Sequence, residues 1–383
     1  MLFRYRRFFA LAAFALLATP LVGGVVRPDS PEMIYAAEGR LLAPDPAAPA
    51  GLTGWTALPG EVDAYLKDRF GFRHAMIKLH HDLTHPVILK VETAALIGRD
   101  GRMFYQGNEM LVRQSAGLLL RDQRVAEAAD LIAAMRDALA KRGARLLVTV
   151  PPNPSTIYQD DLPIWAQARG RKTEYDLFLE DLAARRIKTV DLRPVMKLVQ
   201  PEGEAYFMHD THWTPRGAVA GFNAVVEADG RPDWRIDPAT ALGPAQERKG
   251  GDIARVLGVQ DDVTESASTF VLSSPGQDEA LSQDGLPGMP DHVITTGRPG
   301  PTVMVLGDSF TAISFPLMLA QHVGRAIWIN RRLCGFDWKQ VDRFQPDEVW
   351  WAPTERLLLC DPGYHPIGFA GGSAMMPPFG HKS

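Results

Sequence analysis

Five short apolar runs, separated by stretches long enough for helices, do most to restrict how this chain can fold. They are Arg145–Val150, Ile187–Leu192, Thr302–Leu306, Arg325–Ile329 and Glu348–Trp351. Runs of this length read as buried strands, and strands alternating with helices argue for a parallel sheet covered on both faces. The intervening patterns agree. Gln114–Arg142 is a long helical pattern rich in Ala and Leu, stopped by Gly143, and a second helix covers about 173–186. Thr214-Pro215 supplies an N-cap with proline at the first helical position, opening a helix to about Ala228. Residues 229–300, rich in Gly, Pro and Asp, read as an irregular or short-strand insertion. The expected class is α/β with a mainly parallel sheet, and such sheets carry their sites at the carboxyl ends of strands.

Ahead of this domain, Arg4, Arg6 and Arg7 precede an uncharged apolar run from Phe8 to Val26. A membrane-crossing helix needs about 20 residues, and the apolar core of a cleaved signal only about 7–15. Residues 1–26 therefore predict an uncleaved signal-anchor whose arginine flank stays cytoplasmic, leaving the rest outside the inner membrane. Pro20, Gly23 and Gly24 weaken the helix, and a signal peptide cleaved near Ala36-Ala37 is the alternative. Six prolines between 27 and 60 read as a tether. The domain then spans 61–383, opening on an amphipathic pattern of Val62, Tyr65, Leu66, Phe70 and Ile77. A net charge of −4 without a basic block argues against a nucleic-acid partner. Two cysteines, Cys334 and Cys360, exclude a disulfide framework. In an exported chain they permit one bridge, and two buried thiols fit equally well.

Two motifs carry chemistry. Gly307-Asp308-Ser309 directly follows the apolar run Thr302–Leu306, so its hydroxyl projects from the sheet edge, where backbone N–H groups can stabilise an oxyanion. Ser309 or Asp308 as a simple helix N-cap is the plainer alternative. Asp210-Thr211-His212-Trp213 offers the partners a serine nucleophile needs, a base and a carboxylate to hold its tautomer. It also reads as a loop histidine beside a helix-entry aspartate. His209, Asp210 and His212 are metal-ligand types, but no fourth ligand stands at a recognisable spacing and no metal is expected. His81 and His85 are four apart yet lack the glutamate of a zincin. Among the tryptophans, Trp213 adjoins His212 and is the candidate for stacking on a sugar ring.

A strand followed by GDS, with D-x-H elsewhere, resembles the SGNH hydrolase superfamily. The inverted order, with His212 lying 97 residues before Ser309, resembles the permuted SGNH-like domains of the alginate O-acetyltransferase family, of AlgX and AlgJ type. Segments 68–73, 101–107, 150–158, 210–218, 251–254, 305–310 and 353–356 carry the likeness along about residues 60–360. The resemblance implies a three-layer sandwich preceded by one membrane-anchor helix. It implies a periplasmic, inner-membrane-anchored O-acetyltransferase acting on an exported exopolysaccharide, without a cofactor. Ser309 would be the nucleophile, His212 the base and Asp210 its orienting acid, and a multispanning membrane acyltransferase would be the partner supplying acetyl groups. A carbohydrate acetylesterase with the same triad is the alternative, as is a non-catalytic polysaccharide-binding subunit of a secretion complex. The superfamily's oxyanion glycine and asparagine blocks are not recognisable here. Asn153 and Asn330, each just past a strand, are the stand-ins, and each also reads as a turn residue.

Overall fold

The computed structural model describes residues 51–68, 95–107, 110–199, 203–281, 290–330 and 338–359, with isolated positions before residue 50. Most of the apolar run 8–26 lies outside these residues, as do Phe70, Ile77, His81, His85, Cys334 and Cys360. Among the described residues, no helix is long and apolar enough to cross a membrane. The chain divides into two compact units, 1–91 with 366–371 and 92–365 with 372–383. In the first, Gly51–Asp68 is one helix. It takes up the last ten residues expected as tether, because the prolines crowd between 28 and 49 and only Pro59 falls within the helix.

In the second unit, β1 (Ala95–Ile97) and β2 (Met103–Tyr105) pair antiparallel. Then come β3 (Arg145–Val150), β4 (Thr189–Asp191), the antiparallel pair β5 (Leu242–Lys249) and β6 (Thr264–Phe270), β7 (Gln277–Ala280), β8 (His292–Thr295), β9 (Thr302–Gly307), β10 (Arg325–Asn330) and β11 (Glu348–Ala352). Seven of these make one sheet in the order β4-β3-β11-β9-β10-β8-β7. The first five are parallel, whereas β8 runs antiparallel to β10 and β7 to β8. The sheet is therefore mixed, and the stretch 229–300 is less irregular than its composition suggests. Its two antiparallel pairs use largely polar, partly exposed strands, which leave little apolar periodicity to read.

The five parallel strands are apolar throughout because both faces are covered. Val303, Val305, Trp328 and Trp350 pack under helices Pro215–Ala228 and Ser314–Ala320, with Phe222 and Phe315 between them. Met304, Leu306, Ile329 and Trp351 face the opposite side, under Asp122–Ala140 and Glu174–Ala184. The result is a three-layer α/β fold. Helix starts follow their caps: the Thr214 hydroxyl accepts from Gly217 N, and Thr173 with Asp176 forms a capping box. The expected helix 114–142 is instead two, Met110–Ser115 and Asp122–Ala140. Gly117 breaks it at φ +65°, where a Cβ would also lie 2.5 Å from the Lys172 carbonyl oxygen.

Candidate active site

The turn after β9 presents Ser309 at the sheet's carboxyl edge. Asp308 is spent in building that turn: its Oδ1 accepts from Phe310 N at 2.9 Å, and its Oδ2 accepts from Thr354 N and Oγ1, each at 2.7 Å. The next helix begins only at Ser314, so Ser309 caps nothing and its hydroxyl is left for other work.

That hydroxyl meets His212. Ser309 Oγ lies 2.8 Å from His212 Nε2, and His212 Nδ1 lies 2.7 Å from Asp210 Oδ1. With Asp210 ionised, Nδ1 carries the proton and Nε2 is left to accept from the serine. The same Oδ1 accepts His212 N–H at 3.0 Å, which fixes ring and backbone together. Two groups from the 229–300 insertion hold the other carboxylate oxygen. Arg248 Nη2 donates to Asp210 Oδ2 at 3.0 Å, and Asp252 N–H donates to it at 3.2 Å. The Asp252 carboxylate accepts from Thr211 N at 2.7 Å and Thr211 Oγ1 at 2.5 Å, and stands 3.5 Å from His212 Nδ1.

Electrostatics follow from this packing. Burial disfavours charge on Asp210, but the His212 hydrogen bond and the Arg248 charge outweigh it and hold the carboxyl well below its ordinary value. Burial likewise opposes a charged His212 ring. The bond to Asp210 and the attraction of both carboxylates nevertheless raise it above the ordinary 6.5. Burial, then repulsion by Asp210, pushes Asp252 up.

The other sequence candidates fall differently. Trp213 is 5% exposed, stacks on Phe315 and donates Nε1–H to the Phe310 carbonyl at 2.8 Å. It is a core residue bracing the serine turn and not a sugar platform, because the β-bridge of Trp213 to Tyr206 turns its ring inward. Asn330 ends β10 in register with Gly307, and its N–H donates to Asp291 Oδ1. Asn153 follows β3 and is buried beside Thr211 and Arg356. His209 lies with Nδ1 3.8 Å from Glu265 Oε1. Among the described residues, the carboxylate and ring atoms of Asp210, His212 and Asp252 lie within 4.8 Å of one another and are the set able to hold a cation.

Sequence reasoning gave no role to Arg248 or Asp252. Gly251-Asp252 and Pro353–Arg356 lie in segments that carry the family likeness, and that was the available signal. Glu355 is fully buried and accepts from Asn153 N at 2.7 Å and from Thr156 Oγ1. Burial pushes its carboxyl up to about 7 against those bonds. In the folded chain it thus keeps a proton that the unfolded chain, ionising near 4.5, has lost. That contribution is complete below pH 4.5 and is lost as pH rises to about 7, a span worth about 3 kcal/mol. Glu355→Gln should therefore gain on the wild type by about that amount between pH 4.5 and 8 in urea unfolding. An unfolding free-energy difference that stays constant with pH would refute it.

Comparison with known proteins bears on this geometry. A family model described as "SGNH hydrolase-like domain, acetyltransferase AlgX" matches residues 95–359. The "Probable alginate O-acetylase AlgJ" of Pseudomonas putida is 26% identical over 162 residues, 40% of this chain and 42% of that protein. Its namesake in Pseudomonas syringae is 27% identical over 195 residues, 46% and 49%. The matched region spans less than half the length of these curated relatives. A DHHW family protein of known structure from Eubacterium siraeum shares the fold at TM-score 0.52 and 11% identity, covering 72% of this chain and 95% of its own.

Proposed function

The chain belongs to the SGNH hydrolase-like AlgX acetyltransferase domain family, and from that membership we propose that it is an O-acetyltransferase acting on hydroxyls of an exported polysaccharide. One observation carries the reading: the Ser309–His212–Asp210 chain of hydrogen bonds at 2.8 and 2.7 Å on the carboxyl edge of the sheet. Relatives named as alginate O-acetylases support the acyl group and a polysaccharide acceptor.

In the reaction, Ser309 Oγ attacks the carbonyl carbon of an acetyl ester as its proton passes to His212 Nε2. The tetrahedral intermediate leans on the Ser309 backbone N–H, which the turn leaves without an acceptor among the described residues. Collapse breaks the ester bond, and the departing alkoxide takes the proton from His212, leaving acetyl-Ser309. A sugar hydroxyl then gives its proton to His212 and attacks the acetyl carbon. The bond to Oγ breaks, and the serine recovers its proton. Asp210 stays ionised throughout and stabilises the transient imidazolium. The arginine-flanked apolar run supports anchorage in the inner membrane with the domain in the periplasm. There a membrane acyltransferase is the partner that delivers acetyl groups.

Intact-mass measurement tests this reading. Incubation with a small acetyl ester should add one acetyl group to the protein, and an oligosaccharide should remove it with acetylation of the sugar. Release to water alone would make the protein an esterase. The pH profile provides a second test. His212 must be neutral to accept the serine proton, so ester cleavage should rise through a pKa above 6.5. Asp252→Asn removes a negative charge 3.5 Å from Nδ1 and should move that limb to lower pH. An unmoved limb would mean that Asp252 does not tune the base.

A further inference from the structure

Acyl transfer leaves one buried carboxylate beside the base loop unused. The loop closes on itself: Tyr206 bridges Trp213, and Phe207 N–H donates to the His212 carbonyl at 3.2 Å. Against it stand β5 and β6, where Arg248 and Glu265 are direct partners on one cross-strand rung. Side chains paired in this way leave the ribbon on the same face, and both reach the loop. Arg248 donates to Asp210 Oδ2, while Glu265 Oε2 accepts from Met208 N–H at 2.6 Å. Between these two bonds, the His209 carbonyl accepts from Ala254 N–H at 3.2 Å. Gly251 permits that approach, since at φ +155° a Cβ there would collide with the same oxygen. The insertion thus holds Met208, His209 and Asp210 one after another. The Glu265 side chain is only 6% exposed. A backbone N–H that loses such an acceptor is left unpaired, and its segment is free to shift.

We propose that Glu265 is a positioning residue for acyl transfer, holding Met208 so that Asp210 meets His212 Nδ1 at hydrogen-bond distance. It touches neither substrate nor the reacting atoms. It acts through the Met208 amide, and Arg248 fastens the other end of the same segment. Such a hold matters to rate, because a shift of about 1 Å in a catalytic group can cost about 100-fold. Burial pushes the Glu265 carboxyl up against the Met208 bond, so an uncharged acceptor of the same length should serve in its place. The inference rests on the Ser309–His212–Asp210 relay and adds what steadies it from the insertion.

The test compares Glu265→Gln, which keeps a carbonyl oxygen at the same reach, with Glu265→Met, which fills the space and accepts nothing. Glu265→Asp, drawing the acceptor back by one methylene, replaces the methionine variant if that does not fold. With a small acetyl ester, Glu265→Met should lower kcat for Ser309 acetylation about 10- to 100-fold and leave KM within about twofold. Glu265→Gln should keep most of the wild-type rate. In an Asp210→Asn background Glu265→Met should cost little more, because the relay it positions is already broken. A loss from weakened folding alone would persist there. Proton NMR supplies a readout without turnover: the Nδ1–H that His212 shares with Asp210 should move in Glu265→Met and hold its place in Glu265→Gln. Equal losses in the two variants, or a loss undiminished in Asp210→Asn, would overturn the proposal. Acetylation at the wild-type kcat in Glu265→Met would overturn it too, and leave the acyltransferase reading standing. A wild type that takes no acetyl group, but whose Nδ1–H signal moves in Glu265→Met, would keep the positioning role and remove that reading.

Discussion

Ser309→Ala should abolish acyl transfer, lowering kcat on the order of 10⁶-fold if serine-protease behaviour transfers to this site. The loss should leave folding intact. Ser309 is only half-buried at a turn closed by Asp308, and among the described residues its Oγ bonds only to His212. Melting temperature and the acetylated mass of the protein are the readouts. The variant should melt with the wild type and carry no acetyl group after incubation with a small ester. His209→Ala provides a neighbouring control, because its ring faces Glu265 and not the serine, and its effect should be far milder. A well-folded Ser309→Ala protein that still acetylates the oligosaccharide would place the chemistry elsewhere.

Asp210→Asn should cost on the order of 10⁴-fold by the same analogy. The amide keeps the carboxylate's shape but can present its NH2 group to His212 Nδ1. That favours the tautomer with the proton on Nε2, which cannot accept from Ser309, and the imidazolium loses its counter-charge. Arg248 compounds the loss, since its guanidinium donates to the oxygen whose charge is removed. The three residues act as one unit. Adding Asp210→Asn to Ser309→Ala should therefore lower the residual rate little further. Rates for single and double variants on one acetyl ester decide the matter, and multiplicative losses would argue against a shared relay.

The parallel strands were legible because burial on both faces leaves an uninterrupted apolar run, as in Thr302–Leu306. The helix at 215–228 was legible because Thr214-Pro215 is a local signal, satisfied within one turn. Ser309, His212 and Asp210 could be named from the strand–turn context and the two-residue D-x-H spacing. What supports them could not be. Arg248 and Asp252 reach Asp210 from an insertion whose strands are largely polar, and no spacing rule links position 210 to 248. Trp213 was misjudged because adjacency to His212 says nothing about direction. Consecutive residues in extended backbone point to opposite sides, so the neighbour of a site residue is the one turned into the core. Gly117 shows the same limit on a smaller scale, since composition within a window cannot show that one position must take a positive φ.

β11 is the last of the described strands, yet it sits in the middle of the sheet, between β3 and β9. Until residues 348–352 arrive, β3 and β9 each expose an unpaired parallel edge, and Thr354 is missing from the Asp308 clamp under the nucleophile. Closure is therefore a long-range event that local pairing cannot nucleate, and the half-made sheet offers two sticky templates to other chains. The serine turn is fastened by the same step that heals the sheet, so an incomplete chain is inert as well as aggregation-prone, and competence begins only once that central gap is filled.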